Sequence, residues 1–484
     1  MHCAANSILI LLVTTTFGWQ AAAAKERSPD RVAIYDKEPS HLWNRVHTAL
    51  LVRLGPDGKP YGLDRLEPLL WGDSEHLLTG KTADEAATVL EEFVRNRGET
   101  LVQDPLKRAL LQRDLWLVAN WAAESSSDGA DKLLAQLVPV IRRVALPREE
   151  IGKLPDNYAL AVAARHFSTV IDPEKPQQAF LPRELFQEQG PWVCIGRPQG
   201  PTAPMHLQNG NVFNNSAFFI FLKLPGGRAA TLAFIEELAA FDKPLYIDNP
   251  DPPTQRSYQN LPNPALPQWP KGTEVALVRR ALLIDNKGEV VASPLTESVQ
   301  IRVMRVDTPP LTAEVLRKLE SGLPGDVVNG LSEPEKLNRA VDAQAFAEFQ
   351  LSRRDLLAGR HGGLNDVSLV RDFKTGFNAH AWDEFDSVRA GSNDRPFPER
   401  VQPFINQRAS CIGCHRYPGV YSFNSFHSMF PFSLQRRLSK TEDVEGYFPK
   451  SNPLVVKTVS EGERAAVEFK AKQDSWQALR AAWK

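Results

Sequence analysis

Near residue 170 the hydrophobic repeat of this chain changes from the 3.6-residue period of a helix to the two-residue period of a strand. That change limits the chain to a mixed architecture, with helices and strands segregated along its length. Before it, Val89, Leu90, Phe93 and Val94 form an apolar stripe, with Thr82 and Glu85 spaced as a capping box and Gly98 as a stop. Asp104-Pro105 opens a second helix carrying Leu106, Leu110, Leu117 and Trp121 on one side. A third is expected from about Asp128 to Val144, and helices this closely spaced make an antiparallel bundle.

The middle of the chain reads as strands. Trp192 to Ile195 and Ala217 to Leu224 are rich in aromatic and branched residues. Gly226 and Gly227 then precede a helical segment, Ala229 to Phe241, and a proline-rich loop runs from Tyr246 to Lys271. Glu274 to Ile284 and Glu289 to Ala292 are joined through Asp285-Asn286-Lys287-Gly288, a hairpin signal. Val299, Ile301 and Val303 alternate with Ser298, Gln300 and Arg302. The expectation is a mostly antiparallel sheet with a packed helix, and there is no internal repeat.

A length of 484 residues calls for two to four domains. The net charge of −1, with 57 basic against 58 acidic residues, gives no footprint for nucleic acid or an anionic membrane. No stretch reaches the ~18 apolar residues of a transmembrane helix. Ile8 to Val13 is a short apolar run followed by Ala21 to Ala24, which fits an export signal cleaved near Lys25, although its first residues lack Lys and Arg. Cleavage removes Cys3 and leaves Cys194, Cys411 and Cys414, an odd count that argues against a disulfide-stapled scaffold.

Two of these thiols lie in Cys411-Ile412-Gly413-Cys414-His415. Thiols separated by two residues can add to the two vinyl groups of one haem, and the adjacent histidine then faces the iron. With four Cys and ten His in 484 residues, random placement gives this pattern roughly 0.0007 times. A redox dithiol would need a strand-then-helix context that is missing. Half of a zinc site would need a second cysteine pair.

On this motif the chain, from about residue 396 onward, resembles the c-type cytochromes. The resemblance implies one covalent haem c, with Cys411 and Cys414 as thioether anchors and His415 as the proximal ligand. It also implies a helix before the motif, for which Pro398 to Arg408 is available, and a closing helix, for which Ala465, Phe469, Lys472, Trp476, Leu479 and Trp483 form a stripe. Met429, fourteen residues beyond His415, is the only downstream methionine and the first candidate for the distal ligand. His427 shares its geometry, while His206, Met205, His380 and His361 require another part of the chain to fold over the haem. Phe404, Tyr417, Tyr421, Phe423, Phe426, Phe430 and Phe432 can wall a porphyrin or form an ordinary aromatic core. As a whole the chain resembles a large exported haem protein, not a compact electron carrier.

Other features read as structure. Gly226-Gly227-Arg228 lacks the spacing of a nucleotide loop and is a tight turn. Arg360-His361-Gly362-Gly363 is a turn; His380 with Asp383, Glu384 and Asp386 could bind a metal or shuttle protons but reads more simply as a capped, solvated helix end; and Cys194 is a buried, inert thiol. The expected fold is α+β: a signal peptide (1–24), a helical domain (25–175), a sheet-containing domain with a packed helix (176–310), a mixed connecting region (311–395), and a mainly helical, cytochrome c-like haem domain (396–484). The expected function is one-electron transfer in the periplasm or another extracytoplasmic space, through a redox partner protein. A haem-dependent oxidase or peroxidase and a structural or sensory haem protein are the alternatives.

Overall fold

The computed structural model describes residues 33–54, 60–65, 76–125, 127–172, 174–175, 178–198, 200, 202–203, 215–243, 246–248, 260–307, 344–368, 419–420 and 454–483. The 3.6-residue repeat becomes a bundle of α1 (Leu42–Leu51), α2 (Gly80–Arg95), α3 (Pro105–Glu124) and α4 (Asp128–Val144). The Asp104 carboxylate accepts the backbone N–H groups of Leu106 and Lys107, and Pro105 sits in the first turn, where a missing N–H costs nothing. From Ala109 to Ala122 α3 is buried without a break, so it is the axis of the bundle. α4 packs along it through Leu133, Leu137, Ile141 and Val144. The start of α2 corrects the sequence reading. Its N-cap is Thr79, and Thr82 lies inside the helix with its hydroxyl donated to the carbonyl of His76, so Thr82 and Glu85 form no capping box.

Short elements follow: the ribbon of β1 (Arg53–Leu54) with β2 (Pro60–Tyr61), then α5 (Arg148–Gly152) and α6 (Asn157–Ala163). The alternating region gives β3 (Val193–Gly196), β4 (Ser216–Lys223), α7 (Gly227–Ala239), and a separate ribbon of β5 (Tyr246–Asp248) with β6 (Asn260–Pro262). β7 (Glu274–Ile284) and β8 (Val290–Met304) form the expected hairpin. β9 (Gln344–Leu351), α8 (Arg353–Leu357), β10 (Leu364–Asp366), β11 (Val455–Val456), α9 (Val459–Ala471) and α10 (Asp474–Trp483) complete the described elements.

Seven of the described strands form one antiparallel sheet in the order β10-β9-β8-β7-β4-β3-β11. The α+β class therefore holds. The sheet also draws strands from the 311–395 and 396–484 segments, because β9 and β11 pair with strands from the middle of the chain and β10 adds to β9. β8 is one strand where the sequence reads two. Ser293, Pro294 and Leu295 occupy an irregularity opposite Ala281, where a residue without an N–H is tolerated, and the Ser293 hydroxyl donates to the Ala281 carbonyl.

Register sorts the sheet into unlike faces. One carries Phe219, Phe221, Val278, Val299, Ile301 and Phe349, and packs against α9, the ring of Phe186 and the ring of Phe167. α9 approaches so closely at Gly462 that any side chain there would meet the Phe219 ring. The other face carries Arg279, Gln300, Arg302, Glu348 and Gln350, all buried. Buried polar groups need partners, and Glu348 accepts hydrogen bonds from Gln300 and Gln350.

α9 opens on a capping box. The Thr458 hydroxyl accepts the Glu461 N–H, and the Glu461 carboxylate accepts the Thr458 N–H. The stripe from Ala465 to Trp483 is shared between α9 and α10. Trp476 and Leu479 of α10 are buried, with the Trp476 ring 5.6 Å from that of Trp116 in α3. No helix among the described residues is long and apolar enough to cross a membrane.

Candidate functional site

Cys411, Cys414, His415, Met429, His427, His206, Met205, His380 and the helix expected at 398–408 lie outside the described residues, as does the expected export signal. Their chain is nevertheless tied to the sheet. Val420, five residues beyond His415, is fully buried, and its N–H donates to the Gln268 side-chain oxygen at 3.1 Å. Gln268 precedes the buried Trp269 in the loop that leads into β7. The segment that carries it, residues 367–454, leaves from β10 at one edge of the sheet and returns at β11 on the opposite edge.

Cys194 is the one cysteine among the described residues, and it is free. It lies on β3 opposite Phe221. Burial pushes its thiol up to about 12, helped by Glu461 and opposed by Lys457. A thiol held protonated is a poor nucleophile and a poor metal ligand, in agreement with the reading of Cys194 as inert.

His361 is the single distal-ligand candidate that is described. It lies in the expected turn, with positive φ at His361, Gly362 and Gly363. Its ring sits 4.7 Å from that of His166, and burial followed by the neighbouring His166 lowers its pKa, favouring the neutral imidazole. Its Nδ1 is buried without a hydrogen-bond partner. Among the described residues no group of three His, Cys, Asp or Glu side chains is placed to hold a metal.

The densest charge cluster among the described residues was not anticipated from the sequence. Asp114 on α3 receives Arg353 of α8 at 2.5 and 2.9 Å, Arg113 at 3.3 Å, and the Tyr35 hydroxyl at 3.4 Å. His47 of α1 turns Nδ1 toward it at 3.5 Å and Nε2 toward the carbonyls of Gly62 and Leu63. Arg113 also reaches Glu297 of β8 at 2.6 Å, and Glu297 accepts from Ser216 of β4 at 2.5 Å and pairs with Arg279 of β7 at 3.3 Å. Burial pushes Asp114 up, but Arg353, His47 and Arg113 outweigh it and hold the carboxyl well below the usual range. Glu297 is likewise lowered: burial opposes, and Arg113 and Arg279 prevail. Both acids and their arginines are almost fully enclosed. A cluster with no access for a substrate and both acids fixed as carboxylates is suited to locking the bundle onto the sheet, not to proton transfer.

A second buried charge stands apart. Lys470 of α9 is fully enclosed, its Nζ lies 5.3 Å from the centre of the Trp116 ring, and it donates to Gln473 at 2.9 Å. Burial lowers it to about 7, with Glu124 opposing.

No protein-family model, no curated protein and no solved structure matches this chain.

Proposed function

We propose that this chain is an exported monohaem protein of c-type cytochrome character that transfers single electrons to or from a redox partner protein. The observation that carries the reading is Cys411-Ile412-Gly413-Cys414-His415. Cys411 and Cys414 would hold the group through thioether bonds, and His415 would bind the iron. Bound haem supplies an iron centre that changes charge by one electron. The donor set is chemically consistent: Cys194 is packed and protonated on β3, which leaves the two motif thiols as a pair. The apolar run and alanines near the N-terminus support export, the setting in which such attachment takes place. Met429 is proposed as the distal ligand, with His427, His206 and His380 as alternatives.

The test is the full chain produced in a host with c-type haem maturation. Haem staining should survive denaturing electrophoresis, and a pyridine haemochrome spectrum should show saturated vinyl positions. Cys411→Ala with Cys414→Ala should abolish both signals, while Cys194→Ala should leave them intact. Colourless wild-type protein would overturn the proposal. A low-spin spectrum indifferent to carbon monoxide supports electron transfer, because two fixed axial ligands limit reorganisation. Rapid carbon monoxide binding with peroxide turnover would replace that function by a peroxidase.

A further inference from the structure

A cleft of about 530 Å³ opens between α6 and the segment around residues 183–187. That volume suits a small organic molecule. Its apolar lining includes Tyr158, Val162 and Phe186, and both rings are fixed. The Tyr158 hydroxyl donates to the Pro182 carbonyl at 2.6 Å. Phe186 is held edge-on between Tyr158, at 5.1 Å, and Phe221 of the sheet, at 5.2 Å, with the Arg280 guanidinium 4.0 Å from its centre. A preformed aromatic wall costs little ordering on binding.

The polar lining is lopsided. Asp156 is already engaged: one carboxylate oxygen accepts the Ala159 N–H as the cap of α6, and the other accepts from Arg280 at 3.3 Å. Arg165 and Arg183 also line the cleft, and neither guanidinium has a partner among the described residues. Arg165 also sits in a demanding place. It follows the last turn of α6 at φ 55°, the left-handed position that ends many helices and that glycine fills most easily. Its side chain is exposed to solvent where it lines the cleft, as is that of Arg183.

We infer that this cleft binds a small amphiphilic carboxylate. Its aromatic or branched aliphatic body lies on Tyr158, Val162 and Phe186, and its anionic group is held by Arg165 and Arg183. Guanidinium groups suit the role because their planar fork matches a carboxylate.

The experiment is equilibrium dialysis of the full haem-bearing chain against 2-naphthoate and, separately, against the neutral 2-naphthamide. Naphthoate should bind saturably, with one molecule per chain, and naphthamide at least five-fold more weakly. Arg165→Gly should weaken naphthoate at least five-fold while leaving the thermal midpoint unchanged or higher, since glycine relieves the left-handed position. Arg183→Gln should weaken it similarly, and Val162→Trp should abolish binding of both compounds by filling the cleft. Absence of naphthoate binding to the wild type, or unchanged affinity in both arginine variants or in Val162→Trp, would overturn the inference. The chain carrying Cys411→Ala and Cys414→Ala separates this site from the iron: binding there should persist, and its loss would assign the ligand to the haem instead.

Discussion

Asp114 and Lys470 are both enclosed, both near α3, and stabilised by different means. Around Asp114 three cationic or polar elements converge from α1, α3 and α8, and Arg113 hands the arrangement on to Glu297 in the sheet. Around Lys470 there is an aromatic face, one amide and a more distant carboxylate. The first region keeps its charges because each has a counter-charge. The second relieves the cost by letting its proton go near neutral pH. A lattice that ties four elements together is therefore sensitive to removal of one member, whereas a lone buried amine is a cost that substitution can remove.

Asp114→Ala breaks this contrast most severely. It leaves Arg113 and Arg353 buried beside an emptied site, and a loss of about 3–5 kcal/mol is expected from urea unfolding at neutral pH. Arg353→Met combined with Asp114→Leu should recover part of that loss, because it removes a cation along with the acid. Acid unfolding checks the same region. The folded-state pKa of Asp114 and Glu297 lies below the ordinary carboxylate value. Between the two values the unfolded chain binds more protons, so stability is fully present above about pH 4 and is lost as pH falls toward the folded value. Asp114→Ala should flatten that acid limb.

Lys470→Met should act in the opposite direction, stabilising the fold at pH 7 by on the order of 1–4 kcal/mol. The pH series carries the sign. Between about 7 and the ordinary lysine value of 10.5 the unfolded chain holds a proton that the folded chain has released, so wild-type stability rises with pH across that window. The methionine variant should lose the slope. A wild type whose unfolding midpoint is flat between pH 7 and 10 would refute this account of Lys470.

Two smaller substitutions calibrate the comparison with charges near water. Thr458→Ala removes one half of the α9 capping box and should cost about 1 kcal/mol. Arg480→Ala breaks a pair with Glu289 in which both side chains are 50% exposed, and its effect on the unfolding midpoint should stay below about 0.5 kcal/mol.

Local chemistry was legible in the sequence where it acts over a few residues. Asp104-Pro105 starts α3, and Asp285 to Gly288 turns the β7–β8 hairpin, because cap and turn geometry are set by neighbours. Thr82 misled because its hydroxyl satisfies the His76 carbonyl, a competing local bond that the capping spacing does not reveal. β9 was not recognised as a strand. Its Gln344, Glu348 and Gln350 look solvated, yet all three are buried, with Glu348 accepting from Gln300 of the neighbouring strand, and its alanines carry little strand preference. The ion lattice was hidden by distance along the chain, since His47, Asp114, Glu297 and Arg353 share no spacing. One signal was available: between Ala109 and Ala122 every residue but Gln112, Arg113, Asp114 and Asn120 is apolar, and polar residues in such a stretch must find partners inside. For the motif at Cys411 to His415, sequence is the whole basis of the reading.

The opposite-edge attachment of residues 367–454 bears on the order in which the molecule can be assembled. The sheet's two edges, β10 and β11, are about six inter-strand gaps apart, roughly 29 Å, and the chain visits them before and after the two cysteines. A nascent chain emerging from its N-terminus presents β3, β4 and β7 to β10 while β3 still lacks its outer partner and the Trp116 face of α3 is uncovered. β11, α9 and α10 arrive only after Cys411 and Cys414 have passed. Any modification of those thiols can therefore precede closure of the sheet by β11 and the covering of α3 by α10, which follow them in the chain.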